Sequence, residues 1–560
     1  MTTDAWIASV PPGLFLILAG IALLGLRGQV RNAVVVAAPA LLLVWMWVLP
    51  EGIGRSFEWF GLELAPVRID ELGRLFGTVF AIAGVGGGLF AVKQERTAEL
   101  ASALIYAGAA IGVVFAGDLI TVFVFWEVMA VASTLVVLAG GRGARKAAQR
   151  YIVIHLFGGV LLMAGIAGHI GTTGSTAFTL IEGDSPARWL ILAGFLLNAA
   201  AWPISSWLPD AYPRASWSGM VFLSAFTTKT AVYVLIRSFA GEDILIWLGL
   251  IMVFYGIIYA ILANDMRRML AYSIVNQIGY MLVGVGIGTE IALNGAATHA
   301  FAHIIYKALL LMSAGAVLYQ TGRSKFSELG GLARTMPITA MAAIVGALSI
   351  TAFPFTSGFI GKSLIAEGAS SENLEAVWFL ITAASAGAVL YAAKFLWFVF
   401  FRRGDAVHAA DPPAPMLVAM VAFAAGCLIL GVFPQLLDGT LPFAVSYDPY
   451  TTPKIVFQFQ LLLFAVLAFF LLLRWIRPDE TVTLDTDWLW RRAIPRLRAW
   501  LESDARRRVW RGVERGVERF RIGLVSLTGP GAVLARSLPT GAMAFWATIL
   551  LAAYLIFYYL

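Results

Sequence analysis

The sequence predicts an all-α polytopic membrane protein of about 16 transmembrane helices, and three observations predict it. The chain of 560 residues is 60% apolar and only 13% charged, where a soluble domain carries about 25% charged residues. The charges fall between long apolar runs, with a few exceptions inside them. The runs recur at the length of roughly 20 residues that a bilayer demands of a spanning helix.

With that ruler the spans fall at 5–26, 31–49, 72–92, 98–117, 119–139, 150–170, 188–208, 216–238, 243–263, 269–288, 291–319, 336–366, 374–401, 414–436, 455–475 and 541–560. Asp4 and no basic stretch precede the first run, so a retained helix is expected there instead of a cleaved signal. The loops test the count. Arg142, Arg145, Lys146 and Arg150 follow the fifth span, Arg267 and Arg268 the ninth, Arg323, Lys325 and Arg334 the eleventh, and Arg402 and Arg403 the thirteenth. Glu182 and Asp184 follow the sixth, and Glu367, Glu372 and Glu375 the twelfth. Basic loops thus alternate with acidic ones, as the positive-inside bias requires, and the N-terminus is expected outside a bacterial cytoplasmic membrane. The net charge of +7 is read as this topology and not as a nucleic-acid surface. The only cysteine, Cys427, lies in an apolar run and excludes a disulfide framework or a thiolate metal cluster.

Residues 488–525 differ. They hold eleven arginines between Arg491 and Arg521, with Glu502, Asp504, Glu514 and Glu518. Leu489, Ala493, Leu497, Trp500, Val509, Val513, Val517, Phe520 and Leu524 recur mostly every three or four residues, one apolar stripe on a charged helix. Such a helix lies along a membrane surface and reaches roughly 55 Å at about 1.5 Å per residue. Gly529-Pro530-Gly531 ends it, and Pro539 precedes the last span.

Two stretches repeat each other. Phe195–Trp207 contains Ala-Ala-Trp202-Pro203-Ile-Ser-Ser, and Ser349–Phe359 contains Thr-Ala-Phe353-Pro354-Phe-Thr-Ser. Proline removes a backbone hydrogen bond and breaks the helix. Broken backbone at membrane depth survives only when buried in protein or lining a wet cavity. Lys229 precedes Arg237 by eight residues after the first break, and Lys394 precedes Arg402 by eight after the second. His155 and His303 precede similar Leu-rich stretches ahead of each break. Five spans (98–238) are thus doubled by five more (243–402), and an odd number per unit inverts the second, an architecture of transporters. The expected organisation is N-terminal transmembrane helices (1–95), a first five-helix repeat (96–240), a second (241–404), two further transmembrane helices (405–478), a basic lateral helix (479–538) and a final transmembrane helix (539–560).

A charge at the bilayer centre costs several kcal/mol and marks function by default. Here the ionisable residues inside spans are Glu127, Lys229, Lys307 and Lys394, with His155, His299 and His303, and Lys362 just past the second break. Glu127 and Lys229 each hold the other charged when together and release that charge when apart, which would make a proton gate. The alternative is a permanent pair locking two helices, although buried pairs are weak stabilisers. His299, His303 and Lys307 are spaced by four and share one helix face, and histidine titrates near neutral pH. A zinc site at the two histidines lacks a neighbouring carboxylate or cysteine to complete it. No metal, cofactor or catalytic residue is expected.

The order of a Trp126-Glu127 span, a Trp207-Leu-Pro-Asp-Ala211 loop, a Lys229-Thr-Ala-Val-Tyr233 span, a His299…His303…Lys307 span and a break ending in Gly358-Phe-Ile-Gly-Lys362 resembles the antiporter-like subunits shared by respiratory complex I, membrane-bound hydrogenases and Mrp-type cation/proton antiporters. The resemblance covers about residues 70–405 and is specific in combination, while each motif alone is weak. It implies fourteen or more helices with two inverted five-helix units, and a Glu-Lys-His proton path in the membrane plane. It makes Glu127 and Lys229 the glutamate and lysine of the first unit, His299, His303 and Lys307 the connecting relay, and Lys362 or Lys394 the exit of the second unit. One departure stands out. The family places a lysine shortly before the first proline, where this chain has Leu197-Asn198-Ala199. Lys229 takes that role, with His155 as a possible compensating group, or the first unit conducts differently or not at all.

The residues around Lys229 are similar to the D-type chain of the Mrp antiporters, whereas the lateral helix with a last span is similar to the longest complex I subunit. Three readings follow: an ion-translocating subunit of a multisubunit Mrp-type antiporter exchanging protons for Na+ or another monovalent cation; a proton-pumping subunit of a redox-driven complex; and a bracing subunit that no longer conducts. Each implies other membrane subunits as partners.

Overall fold

The computed structural model describes residues 10–402, 409–444, 446–478 and 485–501, with helical positions at 516, 518, 519, 522 and 546–551. It divides into two units, Met1–Thr486 and Asp487–Leu560.

The first unit is a helical membrane body. Among the described residues, twelve helices are long and apolar enough to cross a membrane, and each of the first fifteen expected spans carries a helix or a broken pair of helices. Polar caps fix where several begin. The Asp118 carboxylate accepts from Thr121 N at 2.7 Å, and Asp265 accepts from Arg267 N and Arg268 N at 2.9 Å each, which answers the unpaired N–H groups of a first turn. Gly174, Gly288 and Gly322 end three long helices in the left-handed conformation that glycine adopts without a Cβ penalty. Helices Gly219–Ala225 and Thr227–Ser238, Met266–Ile287 and Glu290–Thr321 are almost wholly buried and form the inner layer. Gly28–Val48 and Thr452–Leu471 show Val44, Val48, Leu463 and Leu471 on the surface, as a lipid-facing layer does.

Residues 52–69 depart from the all-helical expectation. Phe57–Trp59 pairs antiparallel with Leu62–Leu64, and Gly52–Ile53 with Arg68–Ile69. Phe60 and Gly61 both have positive φ, 49° and 74°, the geometry of a two-residue hairpin turn.

Both prolines sit at true breaks. Helix Pro186–Asn198 stops, Ala200 takes φ 56°, and helix resumes at Trp207–Ala211. Helix Pro337–Ile350 stops, Ala352 and Phe355 take φ 58° and 65°, and helix resumes at Ser357–Ser371. The carbonyls freed at the breaks find side-chain donors. Trp207 Nε1 donates to Leu197 O at 3.1 Å, Gln458 Nε2 to Ala352 O at 3.0 Å and Lys362 Nζ to Ile350 O at 3.0 Å. Such partners are what buried broken backbone requires.

Before the second unit, Asp485 is buried and accepts from Tyr255 OH at 2.7 Å and Tyr272 OH at 2.5 Å, while the Thr486 and Ser206 hydroxyls bond at 2.6 Å. In the second unit, a π-turn at Leu489–Ala493 leads into helix Ile494–Leu501, and Arg491 pairs with Asp487 at 2.7 Å. The rest of the expected lateral helix, and the final span except 546–551, lie outside the described residues.

Candidate functional site

Helix Glu290–Thr321 carries the centre of the site. His299, His303 and Lys307 are all fully buried on it, and successive residues four apart share a face. The His299 and His303 rings lie 6.2 Å apart, and Tyr306 stands edge-on to His303 at 5.2 Å. Lys307 Nζ donates to Ser273 Oγ at 2.7 Å. His299 Nε2 lies 3.1 Å from Gln277 Oε1, which also accepts from Tyr306 OH at 3.0 Å. Gln277 Nε2 in turn donates to Tyr391 OH at 3.1 Å and to Asn276 Oδ1. Both ring nitrogens of His303 lack a protein partner among the described residues. A buried polar atom in that condition costs about 1–3 kcal/mol unless water serves it.

Three lysines converge on this helix. Lys307 lies on it, and Lys229 and Lys362 are buried in the layer around it. Lys229 is fully buried and donates to Ser224 O at 2.7 Å and Thr228 Oγ1 at 3.1 Å. The helix is interrupted at Phe226, which leaves the Ser224 carbonyl available to it. Lys362 lies on the half-helix after the second break, with Nζ 4.5 Å from the centre of the Tyr280 ring. Gly361 packs directly on the His299 backbone and brings this half-helix against the histidines.

Lys394 is elsewhere. Its Nζ donates to Ile261 O and lies over the Phe326 ring at 5.5 Å, at the end of the unit where the Arg267–Arg268 and Lys325 loops gather. Lys362 instead lies in the buried cluster, at the break and against His299, and the half-helix that carries it leads on to the loop with Glu372 and Glu375. The two lysines between which the sequence leaves the exit open thus lie apart, one in the cluster and one at the basic-loop end.

Glu127 and Lys229 do not form an ion pair here: no salt bridge joins them among the described residues. Glu127 is half-buried beside Gly159, with no partner for Oε1 among the described residues, on a helix face that also shows Val124, Val131 and Leu135 at the surface. The spacing of motifs along a chain carries no information on which of two separated helices turns its side chain inward, so the pairing could not be read there. His155 is buried in an aromatic nest. It stacks on Tyr151 at 3.9 Å, meets Trp207 edge-on at 4.6 Å, and its Nδ1 lies 2.9 Å from Tyr151 O. Asn198 is fully buried, and neither of its side-chain polar atoms has a partner among the described residues.

Ser273, Asn276, Gln277, Tyr280 and Tyr391 escaped the sequence reading. A signal was present: Asn276-Gln277 is a pair of amides inside an apolar span, where each must find a partner.

The fold and the site together define a polytopic membrane protein built on two broken helices, with a buried row of lysines and histidines between them. The chain is similar to the antiporter-like membrane subunits: the family described as NADH:quinone oxidoreductase/Mrp antiporter, TM, matches residues 116–390. The N-type chain of the NADH-quinone oxidoreductase of Desulforudis audaxviator is 28% identical over 480 residues, covering 74% of this chain and 93% of its own length. The D-type chain of the Na(+)/H(+) antiporter of Alkalihalophilus pseudofirmus is 32% identical over 284 residues, covering 47% of this chain and 57% of its own length. A chain of the Mrp complex from Dietzia sp. matches with TM-score 0.77 at 22% identity over 93% of this chain, which spans 63% of that one. At that identity the likeness is one of fold.

Proposed function

We propose that this chain is a proton- and cation-translocating subunit of a multisubunit Mrp-type antiporter. The observation that carries the proposal is the run of Lys229, His303, Lys307, His299 and Lys362 in one buried cluster around helix Glu290–Thr321. Ionisable groups inside a membrane protein that face one another, and not lipid, are the material of proton relays. The five-helix units 96–240 and 241–404 are read as two half-pathways that meet at this helix. Glu127 and Lys229 serve the first, and the unpaired arrangement is the released state of their gate. His155 and Asn198 line the first half, Pro203 and Pro354 open the two breaks, and Lys362 serves the outward end of the second half. Lys394 serves its inward end. The alternation of basic and acidic loops supports a bacterial cytoplasmic membrane with the N-terminus outside, and other membrane subunits complete the complex.

The test is Lys307→Ala in the assembled complex. Cation-dependent proton exchange in inverted vesicles is expected to fall at least about tenfold, as for loss of a group worth more than 1.4 kcal/mol to the transport barrier, with assembly of the complex intact. Undiminished exchange overturns the proposal.

A redox-driven reading stays open on one observation: the relative that covers 74% of this chain is named as a quinone oxidoreductase subunit. Copurification with quinone-reactive or iron–sulfur subunits would decide for it, and the same relay would then pump protons in a redox enzyme.

A further inference from the structure

Lys362 faces a cavity of about 130 Å³ that the relay does not use up. Tyr280, Lys362, Ser363, Glu367, Lys454 and Gln458 are among its lining. The volume is room for several waters at about 30 Å³ each, and the polar side chains supply the partners such waters need. From Lys362 the cavity follows the half-helix Ser357–Ser371 towards its C-terminal end, where the acidic loop lies. There Lys454 Nζ meets Glu367 Oε2 at 3.0 Å. Lys454 comes from the first turn of another helix, Thr452–Leu471, so the ion pair bridges two elements across the cavity's end. Lys454 also lies 4.0 Å from the centre of the Tyr447 ring, and Tyr447 OH shares a 2.5 Å hydrogen bond with Ser363.

We propose that Glu367 and Lys454 form the gated outer mouth of the water-filled passage that joins Lys362 to the acidic-loop side of the membrane. The two side chains are 40% and 34% exposed, and that exposure decides the character of the contact. A pair so wetted is a weak contact, enough to bias a passage towards closed and too little to hold it shut. A deeply buried pair in the same place would be a lock. The closed mouth keeps bulk ions from Lys362, and its opening lets a proton reach or leave Lys362 along the enclosed water. Tyr447 walls the cavity beside the pair: it meets the Lys454 ammonium with its ring face and the half-helix through Ser363.

The gate rests on the reading of Lys362 as part of the ion path, and the experiment separates the two. Ser363→Cys is placed in a Cys427→Ala background of the full complex, since Cys427 is itself fully buried. A membrane-impermeant thiol reagent is applied from the acidic-loop side, and modification at position 363 is followed by peptide mass. Adding Glu367→Gln or Lys454→Gln is expected to speed modification roughly two- to fivefold, the range set by loss of a half-exposed pair. The exchanged pair, Glu367→Lys with Lys454→Glu, is expected to return the rate close to that of the parent. Equal rates in all four proteins overturn the gate, as does an exchanged pair as fast as the single variants. Proton exchange is read in the same vesicles. Rates that respond to Glu367→Gln while exchange is absent keep the gate and sink the transport reading; exchange that survives with unresponsive rates does the reverse.

Discussion

Lys307 Nζ donates to Ser273 Oγ over 2.7 Å, and the Ser273 hydroxyl shows a second 2.8 Å contact to Leu270 O. One hydroxyl thus ties Lys307 to helix Met266–Ile287, in a layer that is almost wholly buried. Replacing Ser273 by Ala strands Lys307 Nζ in the interior. A loss of about 1–3 kcal/mol in stability is expected, seen as a lower denaturation midpoint of the purified complex, with a concurrent drop in exchange. Ser273→Thr keeps a hydroxyl and should recover most of both. If Ser273→Ala leaves the midpoint where it was, Lys307 does not depend on this bond.

Gly361 sets the distance between the half-helix and the histidines. A Cβ built there would come within 2.6 Å of His299 N and Cα. The obstacle is backbone, which cannot swing aside as the end of a long side chain can. Gly361→Ala is expected to cost about 1–3 kcal/mol by overpacking and to slow exchange by moving Lys362 away from His299. Gly439, with nothing within 4 Å of its Cβ position, is the control. Thermal denaturation and vesicle exchange of Gly361→Ala and Gly439→Ala, side by side, check the claim, and matching behaviour would falsify it.

The spans were legible because apolar length is a local property, and so were the breaks, because Pro203 and Pro354 act on their own backbone. Lysines and histidines inside apolar runs announce themselves by cost. What a partner is cannot be read this way. Lys229 was expected to answer Glu127, yet it is held by a carbonyl five residues behind it, which exists as an acceptor only because the helix is interrupted at Phe226. The amides and phenols around Gln277 went unnoticed because neutral polar residues leave no mark on a charge pattern. The resemblance leaves Lys362 and Lys394 both open as the exit, and they become distinct only when packing puts Lys362 against His299 and Lys394 beside Ile261 and Phe326.

Asp485 is another residue that the charge pattern hid, being one acid in a polar connector. It takes the hydroxyls of Tyr255 and Tyr272 together, and Thr486 beside it reaches Ser206. This short stretch therefore fastens at once to the first break and to helices Asp243–Leu262 and Met266–Ile287. Asp485→Ala leaves two buried phenols without their acceptor, and a cost of about 1–3 kcal/mol is expected. The diagnostic measurement is a double-mutant cycle with Tyr272→Phe: residues in one network couple by about 0.5–3 kcal/mol. Strict additivity of the two denaturation shifts would mean that the carboxylate and the phenol act independently.

Gly159 makes the space in which the Glu127 carboxylate rests. A Cβ at position 159 would overlap Glu127 Oε1, and the overlapped atom is the free end of a flexible side chain, so the helices need not move. Gly159→Ala is therefore expected to leave stability within about 1 kcal/mol, helped by the better helix propensity of alanine. The added methyl pushes the carboxylate away from helix Arg145–Thr173, and its own helix face shows Val124 and Val131 at the surface. An apolar carbodiimide entering from the bilayer should then modify Glu127 faster in Gly159→Ala than in the parent, while exchange falls. Gly171→Ala lies on the same helix, where a Cβ meets nothing within 4 Å, and should alter neither rate. Should both alanine variants be modified at the parent's rate, the Glu127 carboxylate does not sit against Gly159.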